Sequence, residues 1–337
     1  MAVEVTDLKI GKSYSTEEVH FSGGLRGLPT NQGWILYPVS GDPDSDALLF
    51  KSPQSHFEFT TQECGLSFIG TCIHYQIDAN SPPMDVWEPG KRDEANGLNA
   101  ADSWGAVAHQ AELSGEHEYA NCASYVSVCL KVAGLRLRDV SNRYHEQLKW
   151  ALRKNTVSGS WFANAALLDL YADFHSLVSE LSSARDHLAK LAAIHVAAPD
   201  RVDGLARLED WLERPTNNQH LSYPLIRLLI EASGTKEQPG WLRRLGDIRN
   251  EMLHRVPMSA NKSVSGLVLE DIHSSQGLIK SIRLAEPLHQ NPLEQQGQDP
   301  LVELSQLSTK LEHLSRAAWK YAKFPALLPE FTSKSAT

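Results

Sequence analysis

Residues 161–197 read WFANAALLDLYADFHSLVSELSSARDHLAKLAAIHVA. Within them Leu170, Phe174, Leu177, Leu181, Ala184, Leu188 and Leu191 recur at spacings of 4, 3, 4, 3, 4 and 3. A rod that turns once every ~3.6 residues keeps such positions on one stripe, so the stretch predicts a helix of about ten turns with one buried face. Pro199 stops it. Downstream, shorter helices are expected over 202–212 and 224–232. A further helix begins after Pro239-Gly240 and ends by Pro257. Residues 264–272 and 278–284 read as a hairpin around Ser274-Ser275-Gln276-Gly277. A last helix is expected from Pro300 to Phe324, with Leu304, Leu307, Leu311, Leu314, Ala318 and Tyr321 as its stripe.

Upstream the pattern changes. Residues 1–90 carry short apolar runs rich in strand formers, such as Trp34-Ile35-Leu36-Tyr37, Ala47-Leu48-Leu49-Phe50 and Phe68-Ile69-Gly70-Thr71-Cys72-Ile73. Turn residues such as Ser40-Gly41-Asp42-Pro43 punctuate them, and Asn80-Ser81-Pro82-Pro83 with Pro89-Gly90 suggests a boundary. Between 100 and 155 three helical segments are expected: 104–113, 119–132 and 142–152. The last follows a turn-like Arg138-Asp139-Val140-Ser141, with Ser141 as its N-cap. The reading is an α+β protein with a β-rich N-terminal domain at 1–90 and a helical connector at 91–158. A mainly α helical domain follows at 159–327, then a loose tail at 328–337.

The 337 residues are 42% hydrophobic and 22% charged, an ordinary globular composition, and the formal net charge is -9. An acidic chain does not coat nucleic acid, so any contact with it has to be local. The first residues lack the basic and apolar regions of a signal peptide, and no apolar run approaches the roughly 18 residues of a membrane span, so a cytoplasmic protein with no membrane association is expected. Cys64, Cys72, Cys122 and Cys129 show no metal-type spacing and are expected to be reduced, buried thiols.

The candidate chemistry lies at Arg249-Asn250-Glu251-Met252-Leu253-His254. Arginine offers a planar fork of donors to phosphate oxygens, and histidine moves protons near neutral pH. From Pro239 to Val256 the chain holds Arg243, Arg244, Arg249 and Arg255 against Asp247 and Glu251, four minus two, a local +2. On a regular helix Trp241, Leu245, Ile248 and Met252 share one arc flanked by Leu242 and Leu253, and Arg249 falls inside it. A guanidinium facing a core is costly unless it is paired or faces a groove. His254 falls about 140° away, so the two do not stack on one face.

This R-N-x-x-x-H string in a helical C-terminal half resembles the HEPN superfamily, whose signature is Arg, four to six residues, then His, often with Asn directly after the Arg. The resemblance covers roughly the last half of the chain. It implies a HEPN-like helical bundle that cuts RNA as a homodimer without metal or cofactor. Arg249, Asn250 and His254 would be catalytic, and Arg243, Arg244 and Arg255 would bind substrate. A 2'-hydroxyl attack needs a proton acceptor, a proton donor and positive charge on the phosphorane. The implied role is that of a toxin or anti-phage effector, with a regulatory partner or ligand at the N-terminal domain. The alternative is a non-catalytic HEPN-like dimerisation or binding protein. Val256 stands where some HEPN toxins carry a tyrosine modified by a partner nucleotidyltransferase, so control by that route is not expected.

Other residues are weaker candidates. Arg138 and His145 fit the loosest form of the signature. Arg185 and His195 are expected to be solvated positions on the long helix. His56, His74 and His109 lack metal-ligand partners at usable spacing and are expected to be structural. Cys64 or Cys122 as nucleophile has no local signature. Gly23-Gly24 is a turn, with no phosphate-binding glycine pattern around it.

Overall fold

The computed structural model describes residues 8–10, 13–31, 33–39, 47–50, 64–76, 82–90, 99–255, 258, 265–274, 277–285, 288 and 298–327. The protein is of mixed α+β class, β-rich in its N-terminal part and mainly helical beyond it. Two compact units divide the chain. One comprises Met1–Glu94, Gly134–Leu177 and Glu251–Gln306, the other Ala95–Ala133, Val178–Asn250 and Leu307–Thr337. The contiguous division read from the sequence at 90 and 158 differs from this interleaved one. The reason is helix length: the helix His117–Arg153 has 37 residues, about 55 Å, well beyond the ~30 Å of a small domain.

The first unit holds a seven-stranded sheet. Its strands are β1 (Leu8–Ile10), β2 (Ser13–Phe21), β3 (Arg26–Thr30), β4 (Gly33–Tyr37), β5 (Leu48–Phe50), β6 (Phe68–Gln76) and β7 (Met84–Pro89). The order is β5-β4-β3-β2-β6-β7, with β1 also paired to β2. The three apolar runs read as strands fall in β4, β5 and β6. β7 lies where the sequence suggests a boundary. It is the terminal strand of that order, and Pro89 at its end donates to no further neighbour, which is where proline is tolerated.

Register fixes which side chains share a face. Tyr37 is opposite Arg26, and Arg26 opposite His20; Glu18 is opposite Cys72, and Cys72 opposite Trp87; Thr16 is opposite His74, and His74 opposite Asp85. One face of the sheet thus carries three rows of polar and aromatic side chains. The other carries Val19 and Leu36, 0% and 2% exposed.

A second sheet has the order β10-β9-β8, from β8 (Trp161–Phe162), β9 (Leu267–Ser274) and β10 (Gly277–Leu284). β9 and β10 form the expected hairpin, pairing from Ser274↔Gly277 to Leu267↔Leu284. Ser275 and Gln276 at its tip lie outside the described residues. β8 corrects the start of the long helix. Trp161 and Phe162 pair with Val268 and Leu267 in the sheet, so helix begins only at Leu167.

The helices in chain order are α1 (Ala100–Leu113), α2 (His117–Arg153), α3 (Leu167–His195), α4 (Leu205–Leu212), α5 (Pro224–Ser233), α6 (Trp241–His254) and α7 (Pro300–Ala318). The stripe predicted on α3 is buried throughout, each of its seven residues being at most 1% exposed. At roughly 1.5–3 kcal/mol per buried large side chain, that face anchors the helix. α7 gives way to a 3-10 turn at Trp319–Tyr321, short of the expected Phe324.

α2 corrects the expected break at 138–141. Ser141 is not an N-cap but a mid-helix residue, completely buried. Arg26 takes up the Ser141 hydroxyl and Asn142 Oδ1 from the sheet, while Asp139 pairs with Arg136 and Arg138 of α2 itself, and packing overrides local preference. The turn at Ser22–Gly24 lies against this part of α2. A Cβ on Gly24, at φ +82°, would sit 2.6 Å from the Tyr144 carbonyl oxygen. Gly23-Gly24 is the turn expected, and the lack of a side chain there lets β2 and β3 meet the helix.

In the second unit Asn99 caps α1, accepting the Asp102 N–H at 2.7 Å. Trp104 is fully buried and its indole N–H donates to the Ser315 carbonyl at 3.1 Å. Asp186 takes up the Leu205 N–H at the start of α4, at 3.2 Å. Pro224 opens α5 at a position where its missing N–H is not needed.

Candidate functional site

The motif helix α6 buries Leu242, Leu245, Ile248 and Met252, none more than 2% exposed. Arg249 lies in the same arc and is half-buried. Among the described residues its side chain makes no hydrogen bond or ion pair. Asn250 is exposed on the outward face. The Arg255 N–H still bonds the Glu251 carbonyl at 3.0 Å, so the last turn keeps its helical bonding and does not loosen. Arg249 and His254 therefore sit about 140° apart around the axis, and α6 alone does not bring them together. The His254 side chain and Val256 lie outside the described residues.

The other arginines differ in their partners. Arg243, expected to bind substrate, pairs with Glu209 at 2.9 Å, and Glu209 is also held by the Ser233 hydroxyl. Its charge is committed within the unit. Arg244 and Arg255 are exposed. Arg185 is not the solvated residue expected: it is 7% exposed and paired with Asp186 at 2.9 Å. A Cβ on Gly246 would lie 2.2 Å from Arg185 Nη1, so the glycine in α6 makes room for this guanidinium. His195 is likewise half-buried between two hydroxyls, Tyr119 at 2.9 Å and Tyr223 at 2.8 Å. Burial and Lys323 lower its pKa, and burial pushes the Tyr119 hydroxyl up to about 12.

A second assembly, which the sequence reading missed, lies on the polar face of the seven-stranded sheet. Arg26 is 1% exposed. Its Nε meets Glu18 Oε1 at 3.0 Å, Nη1 donates to Ser141 Oγ at 3.1 Å, and Nη2 donates to the Ser141 carbonyl and to Asn142 Oδ1, both at 3.0 Å. His20 joins Ser141 Oγ at 3.2 Å through Nδ1 and Glu18 Oε1 at 3.1 Å through Nε2. Tyr37 donates to Glu18 Oε2 at 2.7 Å. His145 Nδ1 donates to the Gly24 carbonyl at 2.8 Å.

Burial, with Arg26 beside it, lowers His20 to about 3, and the same two causes lower His145 to about 4, so both are neutral at pH 7. The Glu18 carboxyl is held below the usual carboxylate range: burial opposes ionisation, but hydrogen bonds from His20 and Tyr37 and the charge of Arg26 outweigh it. Ser141, His20 and Glu18 stand in the order hydroxyl, imidazole, carboxylate. Ser141 is nevertheless completely buried, and its oxygen already accepts from Arg26. We assign Ser141 Oγ–H to His20 Nδ1 and His20 Nε2–H to Glu18, which leaves these polar groups satisfied. The cluster is a lock between sheet and α2 rather than an exposed nucleophile. It also occupies His145, so the looser Arg138 and His145 pairing is not an open acid–base site. The available sequence signal was Glu18 and His20 at alternate positions of β2, with Ser141 and His145 one turn apart on α2.

Cys72, His74 and Asp85 form a third group. Their ligand atoms all lie within 4.8 Å of one another. The sequence reading gives His74 no ligand partner, because Asp85 is eleven residues away; the register of β6 against β7 closes that gap. His74 Nδ1 is 2.7 Å from Asp85 Oδ1. The Cys72 thiol is pushed up to about 11 by burial and by the neighbouring Asp85 and Glu18. Cys64 and Cys122 are buried, and burial raises the Cys122 thiol, so neither has the surroundings of an activated nucleophile. His109 is exposed, and His56 lies outside the described residues.

Comparison of the chain with protein-family models, curated proteins and solved structures gives no match.

Proposed function

We propose that this chain is a metal-independent endoribonuclease of HEPN type, with its helical part acting as a homodimer. The observation that carries the reading is Arg249: an arginine part-buried in the apolar arc of α6, with no ion pair among the described residues. Such a group is costly to keep unless an anion completes it, and an RNA phosphate matches its donor fork. The regular last turn of α6 sets Arg249 and His254 on different faces. A second copy related by a two-fold axis supplies both an acid and a base, with two arginines for the phosphorane. Attack by the adjacent 2'-hydroxyl leaves a 2',3'-cyclic phosphate and a 5'-hydroxyl, and needs no incoming reactant. By the resemblance, the biological role is that of a toxin or anti-phage effector.

The test is cleavage of an RNA pool by the full chain and by Arg249→Ala and His254→Ala, with the ends read by mass spectrometry. Cyclic phosphate ends, no cleavage of matched DNA, and a loss of roughly 10² to 10⁴ in rate in each variant are expected. No cleavage by the native chain, together with dimerisation seen in light scattering, would favour the non-catalytic binding protein instead.

A further inference from the structure

We propose that Cys72, His74 and Asp85 form a binding site for one divalent transition-metal ion of zinc type, with a fourth coordination position open to solvent. This goes beyond the ribonuclease reading, which uses no metal and none of these residues.

The geometry comes from the sheet. Positions i and i+2 of a strand face the same way, so β6 presents Cys72 and His74 together, and antiparallel pairing sets Asp85 of β7 directly opposite His74. The three donors lie within 4.8 Å of one another. Around a tetrahedral zinc ion such donors stand roughly 3.3 to 3.6 Å apart, so taking up an ion asks His74 Nδ1 and Asp85 Oδ1, now 2.7 Å apart, to part slightly and any wider pair to close by about an ångström. His74 and Asp85 are free to make it, their side chains being 43% and 50% exposed. Cys72 is buried beneath them, 4% exposed. One end of the site is thus fixed in the sheet and the other is adjustable and open to entering ions.

The donor set selects the ion. A thiolate, an imidazole and a carboxylate suit zinc, and cobalt by analogy, far better than magnesium or calcium, which take oxygen ligands. A dication with one thiolate and one carboxylate makes a neutral centre, and the ion displaces the thiol proton on binding. Three protein ligands leave the fourth place for water or an incoming ligand. Bound there, the ion fastens the terminal strand β7 to β6.

The experiment is a Co²⁺ titration of the full chain after chelator treatment and desalting. One equivalent is expected to give a thiolate-to-cobalt charge-transfer band that Zn²⁺ abolishes by competition. Cys72→Ser should remove the band, and His74→Gln and Asp85→Asn should each weaken binding about 100-fold or more. No thiolate band in the native chain, or a band that survives Cys72→Ser, overturns the proposal. If Cys72→Ser does not fold, the other two variants decide: both lie at half-exposed positions, and unchanged affinity in both is equally fatal. RNA cleavage is read separately, so failure of one proposal leaves the other standing.

Discussion

The polar face of the seven-stranded sheet and the motif helix α6 each draw an arginine at least partly out of water, and they treat it differently. Arg26 is fully enclosed, with Glu18, Ser141 and Asn142 on its nitrogens. Arg249 is half-buried and has no described partner. A buried charge whose donors are all taken by its own chain is architecture. One left open within an apolar arc is, on the proposed reading, a place for an RNA phosphate to bind. Burial alone does not separate the two cases; the partners do.

The contrast breaks most sharply at Glu18. Glu18→Gln leaves Arg26 enclosed with its countercharge gone, and should cost roughly 3–5 kcal/mol in urea denaturation. A loss below about 1 kcal/mol would mean that Arg26 is not locked. Gly24→Ala tests the steric side of the same lock: a Cβ at φ +82° against the Tyr144 carbonyl should cost on the order of 1–3 kcal/mol, read as a lower unfolding midpoint.

Acid should open the same face. His20 sits at about 3 and His145 at about 4 when folded, against about 6.5 unfolded. As pH falls below 6.5 the unfolded chain takes up protons that the folded one refuses. Stability present above that pH is therefore lost on the way down towards 3, and Glu18, depressed in the fold, adds loss below about 4.5. Asp299, raised to about 6 by burial, opposes this between there and about 3.8. A net fall of on the order of 2 kcal/mol between pH 6.5 and 4.5 is expected, and His20→Gln should flatten the curve. The smallest effect belongs to α6. Arg249→Met should shift stability by no more than about 1 kcal/mol while abolishing cleavage, since an unpaired guanidinium adds little to the fold. A large destabilisation there would place Arg249 with Arg26, as architecture.

The helices were legible because a stripe such as Leu170 to Leu191 is a local, periodic signal. The hairpin of β9 and β10 was legible from its turn residues. Ser141 was misread because a serine beside Asp139 and Asn142 has cap chemistry, and only the distant Arg26 and His20 explain its place inside α2. β7 was masked by prolines at both ends. His74 and Asp85 meet through strand register, which spacing along the chain does not encode. For α6 the sequence placed Arg249 in the buried arc, as observed, and missed that Arg243 is spoken for by Glu209.

The interleaving of the two compact units bears on any attempt to handle them separately. Four helices, α2, α3, α6 and α7, are cut by the division, so no single break in the chain releases either unit. A recombinant fragment holding only the first 94 residues would carry Arg26 and His20 but lack Ser141 and Asn142, the hydroxyl and amide that receive them. Such a fragment would expose a strip of orphaned donors along its sheet and should come out insoluble. An insertion that respects the protein's integrity belongs in the exposed turn between α1 and α2 around Gly115, rather than at Gly159, whose N–H is bonded to the Leu269 carbonyl.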